Sequence, residues 1–422
     1  MTRDLLPEGT PAPTRRLRVA MALYGDITYD SRVLREAETL ARAGHDVTIH
    51  SLSGSAPNGS PFRVVAWAPD RSAALPGGRR RDASAHSSRR IARIAASASW
   101  LVGYARNIRA WGHWAVAAAG EVDVWHAHDL PALLAVGRLV RPPVGLVYDS
   151  HEIFMDAGTG ARLPTVLRRF LAAYEGLLAR RAFALVTVNE AYAAVLERRL
   201  RPRRMIIVRN CPPRSSLSTM PAGLRAAAGV ASSRPLILYH GAFALHRGIE
   251  ELAEAMLRPG LEDAHLALLG LGDLRPVLEA FAVDPRFGGR VHVLDAVPPH
   301  ELLAWVEEAD VDVMALQPST LNHYLCTPNK LWESLAAGVP VVVSDFPVMR
   351  RIVLDDPDGP LGRTCDPRDP GSIAEAIREV IELEPDERAR LRTRCLRAAH
   401  ERWNWEAESS RLVGLYTELA AT

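Results

Sequence analysis

The stretch TPNKLWESLAAGVPVVVSD (residues 327–345) concentrates groups that can do chemistry. Pro328 closes a loop, Asn329 stands where a helix would begin, and Lys330 falls in that helix's first turn. The apolar spacing of Leu331, Trp332, Leu335 and Ala336 predicts a helix that stops at Gly338 and leads into a buried strand. A helix that opens after a strand presents free backbone N–H groups and a positive dipole end, which suits a phosphate. Lys330 adds a compact ammonium, and it is the chain's single lysine beside 50 arginines. Glu333, one turn on, can accept hydrogen bonds from two neighbouring sugar hydroxyls. A carboxylate so near an anion is unfavourable for phosphate alone and makes sense if the ligand also carries a ribose. The plain alternative is an ordinary helix start with acidic side chains near its positive end.

Other motifs weigh against competing chemistries. HAHD (126–129) offers two histidines and an adjacent acid, a minority case for a metal because no third ligand is evident. DVD (310–312) opens the strand VDVMAL where a metal-binding acid pair would end one. GLGD (270–273) follows a strand but lacks the third glycine of a dinucleotide fingerprint. The chain contains no G-x-x-x-x-G-K-[ST] and no G-x-S-x-G, so P-loop kinase and α/β-hydrolase readings have no support.

The elements that must hold these groups alternate. LRVAMAL (17–23) predicts a buried strand, followed by a helix from about Asp30 to Ala43 and the strand DVTIHSL. VDVWHAH, GLVYDSH, ALVTVN and RMIIVRN continue the series. After the Pro/Ser-rich CPPRSSLSTMP (211–221), it restarts with PLILYHG, HLALLG, RVHVL, VDVMAL and VPVVVS. Two serial β/α sets predict an α/β protein of two doubly wound, Rossmann-like domains with parallel sheets and a ligand cleft between them. The expected division is a disordered tail at 1–16, a first domain at 17–210, a linker at 211–234 and a second domain at 235–400. A closing amphipathic helix is expected over 401–422.

Composition fits a folded chain of this size: 422 residues, 48% hydrophobic and 24% charged. Four separated cysteines, none in a C-x-x-C pair, fit a reducing compartment. No secretory-type apolar segment or spanning helix is predicted. Charge is uneven: residues 1–210 carry 30 arginines against 18 acids, residues 211–422 carry 21 basic residues against 31 acids. The basic excess is densest over 77–114, where arginines punctuate a helical run with Trp100, Trp111 and Trp114. Such a helix either lies on an anionic bilayer or packs into the core with a solvated basic face. No recognition module accompanies the charge, so nucleic acid is not expected as a partner.

Taken in order, DSRVLREAETLARAGHDVTIHS (30–51), DVWHAHD (123–129), YDSHE (148–152), VTVNE (186–190), RGIEEL (247–252) and PNKLWESLAAGVPVVVSD (328–345) resemble a family 4-type retaining glycosyltransferase with the GT-B fold, in a branch carrying a P-N-K element. The resemblance implies a nucleotide-diphosphate sugar as donor, a UDP-sugar ahead of a GDP-sugar, and a hydroxyl acceptor such as a lipid-linked glycan or a small molecule. It implies catalytic roles for His128 beside the donor sugar and for Arg247 and Lys330 at the diphosphate, with Glu333 on the ribose. Pro328, Asn329, Gly241 and Gly270 fall on the donor side, and Asp26, Arg32, His151 and Glu152 on the acceptor or phosphate side. No metal and no cofactor is required, because cations and helix-end amides receive the leaving group's charge. The implied place is cytoplasmic, peripheral on the membrane's inner face if 77–114 binds lipid. Two departures stand out: Leu325 replaces the first of the family's two glutamates, and Ala242 replaces the usual arginine after glycine. They keep open a non-catalytic partner of the same fold that binds a nucleotide sugar; a sugar-nucleotide epimerase is a weaker third option.

Overall fold

The computed structural model describes residues 15–67, 89–214 and 223–422. The first lobe is a seven-stranded sheet built from β1 (Arg18–Leu23), β2 (Asp46–Ser51), β3 (Arg63–Ala66), β4 (Val124–His128), β5 (Gly145–Ser150), β6 (Ala184–Thr187) and β7 (Met205–Ile207). Its order is β3-β2-β1-β4-β5-β6-β7, with every pair parallel. The second lobe holds β8 (Leu236–Ala242), β9 (His265–Leu271), β10 (Val291–Leu294), β11 (Val311–Met314), β12 (Val341–Ser344) and β13 (Gly362–Cys365), in the order β10-β9-β8-β11-β12-β13, again all parallel. Near-continuous apolar runs such as VWHAH and VVVS are buried along their whole length, as strands covered on both faces by helices require. In each sheet the order reverses beside the first strand, β1 or β8. Loops at the carboxyl ends there converge on the gap between the lobes.

The described part of the stretch expected as a linker, 211–214 and 223–234, is anchored by buried residues. Cys211 is fully buried, and the helix Leu224–Ala228 buries Leu224 and Ala228 in the second lobe's core. The expected tail falls outside the described residues up to 14, while Arg15 pairs with Asp123 at 2.8 Å. The closing helix differs from its expected start. One helix ends at Glu401, and the last runs Trp405–Ala421. Asn404 causes the break: its amide donates to the carbonyls of Ala399 and His400, and its oxygen caps Ala407 N–H at 2.9 Å. Trp405, Leu412, Leu415 and Tyr416 are buried against the first sheet and the helix Ser31–Arg42. At about 1.5–3 kcal/mol for each fully buried large apolar side chain, this return contact is a substantial part of the first lobe's stability.

The 31-residue helix Arg89–Ala119 settles part of the bilayer question. Trp111 is fully buried, edge-on to Tyr24 at 5.4 Å, and Trp114 packs against His50 and Trp67. These two rings face the core, so the bilayer reading is corrected for them. The basic loop 77–88 and the side chains of Arg89, Arg90, Arg93 and Trp100 lie outside the described residues. No described helix is long and apolar enough to cross a membrane.

Candidate functional site

In the first lobe, β4 ends at His128 and pairs with β5 so that His128 lies opposite Asp149. Asp149 is fully buried and is the hub of the site. It accepts from Arg32 Nε and Nη2, each at 2.9 Å, and lies 3.2 Å from His151 Nε2 and 3.5 Å from His128 Nδ1. Burial alone would raise Asp149, but Arg32, His151 and the hydrogen bonds from both histidines hold it well below the usual carboxylate range. An ionised carboxylate only accepts, which places the proton of neutral His128 on Nδ1 and leaves Nε2 as a lone pair. That Nε2 has no hydrogen-bond partner among the described residues. Burial pushes His128 below its usual value against the pull of Asp149. His151 behaves oppositely: burial disfavours its charge, but Asp129 and Asp149 outweigh that and raise it to about 10.

Asp129 follows His128 directly in a left-handed conformation (φ 59°), a strained choice for a residue with a side chain. The conformation brings its carboxylate to the His151 backbone N–H at 2.9 Å and to His151 Nδ1 at 3.3 Å. Behind these groups, Glu36 meets Arg32 at 3.1 Å and His126 at 3.8 Å, and His126 stacks on His128 with centroids 4.5 Å apart. Burial raises Glu36 well above its ordinary value, and burial followed by His128 depresses His126. The Tyr416 hydroxyl on the closing helix lies 3.1 Å from His126 Nδ1.

One expectation is corrected here. Arg32 is 3% exposed and spent on Asp149, Glu36 and the Val208 carbonyl, so it braces the site from behind and does not face acceptor or phosphate. Asp26 is exposed, but both its oxygens serve its own loop, accepting from Thr28 N–H and Ser53 Oγ at 2.8 Å each. The HAHD reading gains the ligands missing from sequence: Glu36, His126, His128 and Asp149 bring one atom each within 4.8 Å of one another. The Arg32 guanidinium already lies against both carboxylates and supplies the positive charge a metal would bring there.

In the second lobe, His240 near the end of β8 is held between two acids, Asp312 at 3.3 Å and Glu333 at 3.2 Å. Burial opposes its charge, yet Asp312 and Glu333 raise it to about 9. Asp312 also accepts from Ser334 Oγ at 2.6 Å, which ties the strand to the helix Asn329–Ala336. DVD is therefore a bracing element, with Asp312 fixing the ring that fixes Glu333. Past His240 the backbone turns at Gly241 (φ 113°), beside which a side chain would meet open space. Gly270 is needed for packing: a Cβ there would strike the Gly241 carbonyl oxygen at 1.9 Å. Arg247 precedes Gly248, whose Cβ would collide with the Ala315 carbonyl at 1.9 Å.

No side chain caps the start of Asn329–Ala336; Pro328 stands at the cap position and Asn329 is exposed. Lys330 is 9% exposed, its Nζ 3.4 Å from the Tyr239 ring centroid and without a hydrogen-bond partner among the described residues. Burial lowers it to about 7, and Arg247 deepens the shift while Asp312 and Glu333 resist it. The field of Arg247 also reaches Glu152 of the first lobe, where burial and Asp129 raise the carboxyl and Arg247 lowers it. The two half-sites thus face each other. The Leu325 carbonyl accepts from Asn189 at 3.0 Å, and Asn322 bonds Ile153 N–H and the Tyr192 hydroxyl, pinning the loop before Lys330 to the first lobe.

With the geometry in place, comparison with known proteins is decisive at the level of class. A profile described as "Glycosyl transferase 4-like domain" matches residues 29–211, and one described as "Glycosyl transferases group 1" matches residues 234–383. The chain is a glycosyltransferase of the two-domain GT-B kind. It is 27% identical over 314 residues to the D-inositol 3-phosphate glycosyltransferase of Xylanimonas cellulosilytica, covering 71% of this chain and 72% of the relative. The glycogen synthase of Mycobacterium tuberculosis is 26% identical, covering 70% and 68%. Among solved structures, the sucrose-phosphate synthase of Thermosynechococcus elongatus superposes with a TM-score of 0.72 at 18% identity, covering 96% of this chain and 100% of that one. An E. coli trehalose-6-phosphate structure bound with UDP-2-fluoro glucose gives 0.71 at 12% identity, covering 96% and 99%. This glycosyltransferase thus shares its fold with proteins whose sequences have diverged widely.

Proposed function

We propose that this glycosyltransferase moves a sugar from a UDP-sugar to a hydroxyl acceptor with retention of anomeric configuration, as an enzyme of glycan, glycolipid or natural-product biosynthesis acting in the cytoplasm. Lys330 carries the reading: a buried amine over the Tyr239 ring, lowered to about 7 and without a hydrogen-bond partner among the described residues, in the first turn of an uncapped helix and electrostatically coupled to Arg247. Burial of an unpaired cation is costly unless an anion completes it. A diphosphate supplies that anion and accepts from the free amides. Glu333, oriented by His240, takes the ribose hydroxyls.

When the donor's C1–O bond breaks, negative charge grows on the diphosphate, and Lys330, Arg247 and the helix-end amides stabilise it. The acceptor oxygen bonds to C1 on the face the phosphate leaves, and its proton passes to a phosphate oxygen. His128 Nε2, an acceptor in the tautomer set by Asp149, is buried, so its contact with a hydroxyl of the donor sugar requires the loops around it to open as the donor enters. Protein cations meet the developing charge, so no step calls on a metal or cofactor.

A thermal-shift screen of UDP-, GDP-, ADP- and dTDP-sugars tests the reading, since a bound ligand stabilises the fold by mass action. UDP compounds should raise Tm most, and UDP release should require acceptor. No shift with any nucleotide would overturn the donor assignment; UDP binding without turnover on any acceptor would favour a non-catalytic nucleotide-sugar binder.

A further inference from the structure

A cavity of about 450 Å3 lies in the first lobe between the helices Arg89–Ala119, Asp129–Val136 and Thr165–Ala179. Its size falls within the roughly 300–1,000 Å3 of small-molecule sites. Ile108, Leu130, Leu134, Phe154, Leu171 and Tyr174 make its walls apolar. Arg109, His113 and Arg138 also line it and are exposed. No Asp or Glu is among the described residues of the lining, and neither arginine has an ion-pair partner among the described residues. An apolar chamber whose described rim carries two arginines without ion-pair partners and no acid is complementary to an amphiphile with a hydrocarbon chain and an anionic group.

The cavity's lining begins next to the reaction site in the chain. Leu130 and Pro131 immediately follow His128 and Asp129, and Phe154 follows His151 and Glu152 at the end of β5. Tyr104, also in the lining, stands edge-on to Tyr24 of the β1 loop at 5.9 Å. We infer that this cavity holds the hydrocarbon chain of the acceptor, with the acceptor's anionic group on Arg109 and Arg138 and its hydroxyl at the gap beside His128. The acceptor class is an anionic single-chain or prenyl-type amphiphile, which rests on the transferase reading above and narrows it. It differs from adsorption of a basic face on a bilayer, because one chain enters the protein.

Calorimetric titration of the intact protein with octyl and decyl phosphate, below their micelle concentrations, tests it. Each buried methylene should multiply affinity about fourfold, so decyl phosphate, with two more, should bind roughly fifteenfold tighter than octyl phosphate. Ala105→Trp, at an exposed lining position, should fill the chamber and weaken decyl phosphate at least tenfold. Arg109→Gln with Arg138→Gln should abolish the preference for decyl phosphate over decyl maltoside, and Tm should report that both variants stay folded. UDP-induced stabilisation, measured on each protein, separates the two proposals. Loss of UDP binding everywhere would break the donor assignment and leave the cavity result standing. The inference fails if decyl phosphate does not bind while UDP does, or if A105W binds it unchanged. It also fails if only phosphatidylglycerol vesicles bind, because that is adsorption without chain entry.

Discussion

The two lobes meet the same gap with opposite electrostatic strategies. On the first-lobe side, Arg32, Glu36, Asp149, His126, His128 and His151 form one buried cluster, with both oxygens of Asp149 taken by Arg32. On the second-lobe side, His240 is saturated between two acids, but Lys330 lacks any such partner among the described residues. The first arrangement is tied together through Asp149 before any ligand arrives and fixes the orientation of one ring, His128, whose Nε2 is left without a partner among the described residues. The second leaves Lys330 Nζ without a partner among the described residues, which under the proposed function an anionic donor would supply. Positioning and affinity are thereby assigned to different domains.

This contrast can be broken by substitution. The largest effect is expected at His128→Ala, where turnover should fall roughly a hundred- to a thousandfold with UDP affinity nearly unchanged. Steady-state kinetics beside UDP calorimetry would show it, and an equal loss of both would make His128 a binding residue only. Next, Asp149→Asn should cost about 3–5 kcal/mol of stability, because it leaves Arg32 buried without its main counter-charge. Denaturant melts measure that, and an unchanged midpoint would mean the cluster is not pre-paired as described. Lys330→Met should leave stability intact or improved and weaken UDP by about 1.5–3 kcal/mol, roughly ten- to a hundredfold. Undiminished UDP affinity would remove the distinction between the lobes.

The smallest effect is the most specific. Lys330 sits at about 7, below its ordinary 10.5, so the unfolded chain binds more protons between those values. Its contribution therefore makes the ligand-free fold gain stability as pH rises through that window. A diphosphate beside the amine raises its pKa, so UDP binding at pH 8 should take up as much as about one proton. Titrations in two buffers of different ionisation enthalpy would detect the uptake. Lys330→Arg, always charged, should abolish it.

Most of the architecture was legible because buried parallel strands write themselves as apolar runs, and RVAMAL, ALVT and VVVS are found where those runs predicted strands. β3 (RVVA) and β13 (GRTC) were missed: both are short edge strands with polar or half-exposed residues. The groups around Lys330 and Glu333 were visible from local spacing within one helix. The Asp149 hub was not, since its partner Arg32 lies 117 positions away and no local period links them. A usable signal did exist in the charged residues interrupting otherwise buried elements, Glu36 in its helix and Asp149 in its strand, because such charges persist only when paired. Arg32 was misread for the same reason: sequence placed it near the first loop but could not say which way it pointed.

The chain passes between the lobes twice, and the two passages run side by side. Trp405 N–H donates to the Pro212 carbonyl at 2.9 Å, and Arg209 bonds Glu408 at 2.9 Å. A body joined to another at two adjacent pins can swing about the line through them but resists twisting across it. The contacts of Asn189, Ile153 and Tyr192 with the 321–325 loop also bridge the lobes, so a swing about that line must first part them.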